Sequence, residues 1–377
     1  MRLNPVLEGL GTYPFVRLDE AKAAAHARGI ELIDFGIGEP REETPAFIRR
    51  ALADALEPLS TYPKAEGLPE LRAAIARWVQ RRFGTALDPD REVVPTLGSK
   101  EVVFHLAQVA GGEAVAVTSP GYPVPERGAR FAGRTVVEVP LDPARGHLPD
   151  LDALGPELLD RLAILWLNYP NNPTGAVVPL ELLERAAALA RRHDFVLACD
   201  EAYSEIWFDG GPPASGLQLA DRTNVVVLNT LSKRSSMPGY RSGFVAGDAA
   251  LIAALKRYRP NVGVAPQEFV QRAAVAAWNE EHHVEDVRER YRRKRALLLP
   301  ALEAAGFVDA GGPATFFLWL RTPGGEEDEA CALRLLERGI VCAPGSFFGT
   351  GGAGHVRFAL VPTPERCAEA AQRLAPR

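Results

Sequence analysis

At 377 residues the chain is long enough for two domains around a large core. Apolar residues make up 47% and charged residues 24%, ordinary values for a globular protein, and a formal charge of -5 supplies no basic stripe for a nucleic acid. No apolar run reaches the roughly 18 to 20 residues of a membrane span, and the amino terminus lacks a signal-peptide layout.

The chain opens with a polar, proline-bearing arm and a predicted helix from Val16 to Arg28, closed by Gly29. A short strand over Ile30 to Phe35 runs into the turn Gly36 to Pro40, where glycine lets backbone approach a ligand. The dinucleotide fingerprint is not met there, because the third glycine and its helix are missing. Helices are expected over Pro45 to Leu56 and Leu68 to Phe83, separated by a stretch that carries Tyr62. Val93 to Lys100 reads as strand, glycine turn and helix start, so that Gly98, Ser99 and Lys100 present amides of the kind that bind anions. Taken alone, a serine or glycine before a helix is more often just a cap. A strand from Ala114 to Val117 leads to Tyr122.

Leu162 to Leu167 is a continuous apolar run, the mark of a parallel strand buried on both faces. It ends in Asn168 to Gly175, which contains Asn172. A helix from Leu180 to Arg192 follows, opened by Pro179. Phe195 to Cys199 is the next strand and ends at Asp200 and Tyr203. Val225 to Leu228 then delivers Thr230, Ser232 and Lys233, and Arg241 precedes a further strand over Gly243 to Gly247. Alternating strands and helices, with each strand ending in polar residues, describe a doubly wound α/β sheet with its site at the carboxyl edge.

Long helices fill 248 to 305. The basic stretch from Arg288 to Arg295 and the pair His282 and His283 read as solvated surface. Beyond Phe307 the pattern shifts to strands over Ala314 to Leu320, Ile340 to Cys342 and His355 to Leu360, with helices over Cys331 to Arg338 and Pro364 to Leu374. This is a smaller α+β unit, joined by the amino-terminal segment. The expected division is 1–40 for the arm and part of the small domain, 41–285 for the large domain and 286–377 for the small one. The four cysteines, Cys199, Cys331, Cys342 and Cys367, show no metal-ligand spacing, as suits a reducing cytoplasm.

The chain has six lysines among its 43 basic residues, and one of them, Lys233, stands at a strand end beside hydroxyls. A primary amine forms a Schiff base with an aldehyde, which a permanently protonated guanidinium cannot do. A lone Ser-Lys pair would still read as a solvated turn. What changes that reading is the ordered set: Tyr62 with Gly67 and Leu68; Gly98, Ser99 and Lys100; Tyr122; Asn172 to Gly175; Asp200 with Tyr203; Ser232 and Lys233 with Arg241; and Arg357. In this order the sequence resembles the fold-type I, pyridoxal phosphate-dependent aminotransferases of class I and II over essentially its whole length.

The resemblance implies a large doubly wound mixed sheet of seven strands plus a smaller α+β domain. It implies pyridoxal 5'-phosphate as cofactor, carried by Lys233, with Asp200 on the ring nitrogen, Asn172 and Tyr203 on the ring oxygen and Tyr122 stacked on the ring. The phosphate falls to Gly98, Ser99, Lys100, Thr230, Ser232 and Arg241, joined by Tyr62 of a neighbouring subunit, which implies a homodimer with shared sites. Arg357 is the expected clamp for the substrate α-carboxylate, with Gly38 and Asn172 beside it. An amino acid and a 2-oxo acid are the expected partners, without nucleic acid, membrane or metal.

Within the family, the wording of Ser232 to Asp248, Ala202 to Ile206, and Gly38 to Pro40 followed by Thr44 and Pro45 resembles the N-succinyl-LL-diaminopimelate aminotransferases of the bacterial lysine pathway. The loop between Gly345 and Arg357 is short and glycine-rich for that group. A succinylated substrate needs an added cation for its distal carboxylates, and Arg41 is the candidate. The alternatives are a broad-specificity aspartate or aromatic aminotransferase and a carbon–sulfur lyase on the same fold. A cofactor-binding regulator is disfavoured because the chain begins directly with the arm, without an added DNA-binding segment.

Overall fold

A computed structural model describes residues 1–9 and 14–375 of the chain. Residues 10–13 of the expected arm and the last two residues of the expected small domain lie outside the described residues. The centre is a mixed sheet of eight strands. In spatial order they are Val93–Thr96, Gly243–Gly247, Val225–Thr230, Val196–Asp200, Leu162–Asn168, Ala114–Ser119, Thr135–Asp142 and Leu148–Pro149. The five strands from Val225–Thr230 to Thr135–Asp142 run parallel, whereas Gly243–Gly247 is antiparallel to both its neighbours. The seven strands expected become eight because Leu148–Pro149 folds back as a two-residue hairpin partner of Thr135–Asp142. So short a segment carries no periodicity to read.

The apolar runs are explained by burial on both faces. Leu165, Leu197, Val225 and Val227 pack on one side with the helices Pro69–Phe83, Leu180–His193 and Glu268–Asn279. Ile164, Trp166, Val226 and Leu228 pack on the other with Lys100–Val109 and Ala249–Tyr258. Each fully buried Leu, Ile or Val side chain contributes about 1.5–3 kcal/mol, so a register slip in these strands has no exposed face to accommodate it.

A second, antiparallel sheet has the order Val308–Asp309, Phe317–Arg321, His355–Ala359, Ala343–Pro344. The amino-terminal strand is only Ile33–Asp34, shorter than expected, and it pairs in parallel with Ile340–Val341. That pairing carries the glycine turn after Asp34 to the cleft between the sheets. The expectation of a solvated helix face is half corrected. Tyr291 and Lys294 are fully buried and His283 nearly so, whereas Arg292 and Arg293 pair with Glu289 at the surface.

Candidate active site

The carboxyl ends of the five parallel strands and of Val93–Thr96 meet at one edge of the large sheet, and Arg241 precedes the antiparallel Gly243–Gly247 at the same edge. After Thr230 the chain makes a single helical turn, Leu231–Arg234, begun by the Thr230 hydroxyl accepting from the Ser232 amide at 3.1 Å. The residues flanking Lys233 are held firmly. The Arg234 guanidinium lies 4.6 Å from the Trp278 ring and donates to both Glu281 oxygens at 2.8 Å. Ser235 Oγ meets His283 Nε2 at 2.8 Å, and burial lowers that imidazole to about 4, so it is neutral at physiological pH.

Lys233 itself points back over the cavity and donates from Nζ to the Gly38 carbonyl at 2.7 Å. Burial, aided by the charges of Arg357 and Arg241, brings its ammonium down to about 8. A fraction of this amine is therefore neutral and nucleophilic near physiological pH.

Asp200 ends its strand inside the protein. Burial raises its carboxyl to about 6, opposed by the Ala202 amide and the charge of Lys233. Its Oδ1 accepts from the Ala202 amide at 3.3 Å, and no helix follows it. Asn168, beside it in the sheet, donates to the Asp200 carbonyl at 2.9 Å and accepts from the Asn172 amide at 2.9 Å. Asn172 Oδ1 in turn accepts from Arg357 Nη1 at 2.8 Å, and Arg357 Nη2 donates to the Gly36 carbonyl at 2.7 Å. The guanidinium is flanked by the rings of Phe317 and Phe348, 4.3 and 4.5 Å away, so its position is fixed by stacking as well as by hydrogen bonds. Tyr203 packs edge-on against Phe317, and burial raises its hydroxyl pKa.

At the other end of the cavity Ser99 makes no capping bond with its side chain, which leaves the hydroxyl to the cavity rather than to the helix Lys100–Val109. Gly98 has φ +69°, and a Cβ there would stand 2.5 Å from Arg241 Nη2. Arg241 reaches over this turn, donating to the carbonyls of Pro238 at 2.8 Å and Leu97 at 3.1 Å. Burial and the charges of Arg241 and Arg127 lower the Lys100 ammonium pKa. Thr230 Oγ1 lies 2.9 Å from Ser232 Oγ. Hydroxyls, helix-start amides and two cations thus converge, which is a setting for a multiply charged anion.

One cavity of about 460 Å³ is lined by Gly38, Ser99, Lys100, Tyr122, Asn172, Asp200, Tyr203, Thr230, Ser232, Lys233, Arg241 and Arg357. Of the residues picked out in the sequence, Gly98 is just behind its wall and Tyr62 and Arg41 are elsewhere. Tyr62 is fully exposed. The Arg41 guanidinium pairs with Asp34 at 3.5 Å and borders a neighbouring hollow with Tyr240 and Phe269. Sequence reasoning passed over Asn168, Glu39, Phe317 and Phe348, and also Val16 and Asp19 of the first long helix, all of which line the cavity. Asn168 was within reach, since it occupies the strand-end position that Asp200 occupies next door; the aromatic pair around Arg357 had no local signal.

The model for aminotransferase class I and II matches residues 30–374. The LL-diaminopimelate aminotransferase of Desulforudis audaxviator is 39% identical over 376 residues, covering 98% of this chain and 96% of that protein. Among solved structures, one described as a "probable N-succinyldiaminopimelate aminotransferase" from Thermus thermophilus superposes with a TM-score of 0.88 at 35% identity, covering 96% and 98% of the two chains. The aspartate aminotransferase from Thermus thermophilus with maleate gives 0.91 at 32% identity, covering 100% and 99%. By its sequence, its mixed sheet and the cavity at that sheet's carboxyl edge, the chain belongs to the pyridoxal phosphate-dependent aminotransferases of class I and II.

Proposed function

We propose that this aminotransferase takes the α-amino group of a diaminopimelate and passes it to 2-oxoglutarate, releasing glutamate. The carrying observation is that a lysine amine, a buried carboxylate and a strand arginine share one cavity with an anion cradle. The residues suit the cofactor: Lys233 offers a partly neutral amine, Asp200 a buried carboxyl, and the Gly98 turn close approach to the Arg241 guanidinium, which a Cβ would block. Once bound, pyridoxal phosphate supplies an aldehyde to join the amine and a ring that withdraws electrons from the substrate Cα.

The placement of this chain's residues supports the roles the family likeness gives them. Asp200 would hold a proton on the ring nitrogen, and Asn172 and Tyr203 would hydrogen-bond the ring oxygen. Tyr122 covers a face of the ring. Ser99, Thr230, Ser232 and Arg241, with the amides at Gly98 and Lys100, take the phosphate. Arg357 grips the α-carboxylate, held for it by Asn172 and Gly36. Lys233 is placed to carry the Cα proton at Nζ as general base and then acid. With the division drawn at residues 40 and 285, Gly38 and Arg357 approach the substrate from the smaller part and the cofactor residues from the larger.

The diaminopimelate assignment is supported by relatives bearing that name on both sides of the succinyl distinction. The local wording favours the N-succinyl substrate, but the curated relatives are named for free LL-diaminopimelate, and the cation expected for a succinyl group, Arg41, pairs outside the cavity. We therefore place free LL-diaminopimelate first and the succinylated form second. Glutamate formation from 2-oxoglutarate is measured with LL-diaminopimelate, N-succinyl-LL-diaminopimelate, aspartate and phenylalanine as donors. The expected order of kcat/KM is the order given. Aspartate or phenylalanine leading would make this a broad-specificity enzyme, and pyruvate released from cystathionine without any oxo acid would make it a lyase.

A homodimer belongs to the same reading. Tyr62 at full exposure, with Leu56 and Leu59 also exposed, forms an apolar stretch suited to a second copy. Among the described residues no helix is long and apolar enough to cross a membrane. Four buried free cysteines accord with a cytoplasmic location.

A further inference from the structure

Two carbonyls of one irregular segment steer the two groups that matter most in the cavity. Gly36 O accepts from Arg357 and Gly38 O from Lys233, each at 2.7 Å. Between the strand Ile33–Asp34 and the helix Ala46–Asp54 this segment has no ladder to hold it. Beyond the Phe35 backbone bonds to the Val341 carbonyl and the Ala359 amide, its fixings are side chains. The Asp34 carboxylate accepts from the Gly36 amide at 2.8 Å, and the Thr44 hydroxyl donates to the Ser236 carbonyl at 2.6 Å. The third fixing is the Glu42 carboxylate, which pairs with Lys294 Nζ and lies 3.5 Å from Arg290 Nη1.

Lys294 is not an ordinary helix-surface lysine. It is fully buried on the long helix His282–Ala304, whereas Arg290, Arg292 and Arg293 of the same helix are exposed. It also lies 5.2 Å from the Tyr291 ring, which stacks on Phe316, and Phe316 in turn lies 5.5 Å from Lys233 Nζ. An ammonium taken wholly out of water stays charged only beside a well-placed carboxylate, and apolar residues of similar size would fill the same space at no loss of stability. Such a pair fixes direction and distance where an apolar contact would allow sliding.

We propose that Glu42 and Lys294 are positioning residues for substrate binding: their ion pair, buried at the lysine, ties the 36–40 turn to the long helix and so keeps Arg357 aimed into the cavity. The inference rests on the reading of Arg357 as carboxylate clamp and Lys233 as reactive amine.

The test uses Glu42→Leu, Lys294→Met and the double variant, each as the cofactor-loaded enzyme. Thermal midpoint, kcat and KM for the amino donor are measured, together with the calorimetric Kd of maleate, a dicarboxylate that needs no turnover. Each single variant is expected to lower the midpoint and to raise KM and Kd about tenfold with kcat little changed, the pattern of lost binding. In the double variant no buried charge is left unpaired, so the midpoint should recover while KM and Kd stay raised. Recovery of KM and Kd along with the midpoint would make the pair a purely structural contact and overturn the proposal, as would a fall in kcat at unchanged KM. Should a single variant fail to fold, the double variant decides by itself. Activity persisting in Lys233→Ala would instead sink the underlying reading, and that control is independent of these variants.

Discussion

Lys233 combines burial with a neighbourhood rich in cations, and both effects favour its neutral amine. In the cofactor-free protein the rate of pyridoxal phosphate uptake, followed by growth of the visible band, should rise about tenfold per pH unit below about 8 and level off above it. A profile that keeps climbing to 10.5 would mean an unperturbed lysine. Stability carries the same sign. The unfolded lysine titrates near 10.5 and the folded one near 8, so between these values the unfolded chain binds the extra proton. The cost of burying the charge is present in full below 8 and fades as pH rises through that window, a gain Lys233→Met should lack. Asp200 was legible as a candidate from its strand-end position, but its environment was not. Neither was that of Glu201, whose buried carboxyl is pushed up to about 8 with one oxygen on the Gly216 amide. Burial of a single carboxylate depends on what packs over it, and nothing in the flanking residues encodes that.

At the scale of elements, the strand–turn–helix over Val93–Thr96 and Lys100–Val109 shows how a short motif becomes an anion cradle. Gly98 is needed twice, for its left-handed φ and for the Arg241 guanidinium that passes over it. Gly98→Ala should cost about 1–2 kcal/mol of stability, read from denaturant melts. By displacing the Arg241 head it should also weaken pyridoxal phosphate binding about 10- to 100-fold in equilibrium titration. Strands buried on both faces, such as Leu162–Asn168 and Val225–Thr230, were readable as apolar runs because neither side meets water. Thr135–Asp142, at the margin with an exposed or half-exposed first half, offered no such run and was missed. The strand expected from Ala314 begins at Phe317 because Ala314 bridges to Trp207 and Thr315 turns to φ +68°. Those residues are committed to the other unit before the ladder starts.

For the whole molecule, an exposed tyrosine is meaningful only if a second chain receives it. Hybrid dimers of Lys233→Ala and Tyr62→Ala subunits should contain one intact site, pairing the lysine of one subunit with the tyrosine of the other. Mixing the two weak homodimers should therefore restore wild-type cofactor affinity in one of the two sites of each hybrid, measured by activity at limiting pyridoxal phosphate. No recovery would place Tyr62 outside the partner's site. By itself the sequence determined the fold class and the order of strand ends, because alternation of buried runs and polar ends is written locally; its family likeness carried the cofactor and put Lys233 and Asp200 forward as candidates. Tertiary structure alone decided that Arg41 turns away to Asp34, that Phe317 and Phe348 sandwich Arg357, and that Lys294 is buried against Glu42. Each of these joins groups brought together by folding, and charge in a folded protein is governed by the partner and the water it meets rather than by its neighbours in sequence.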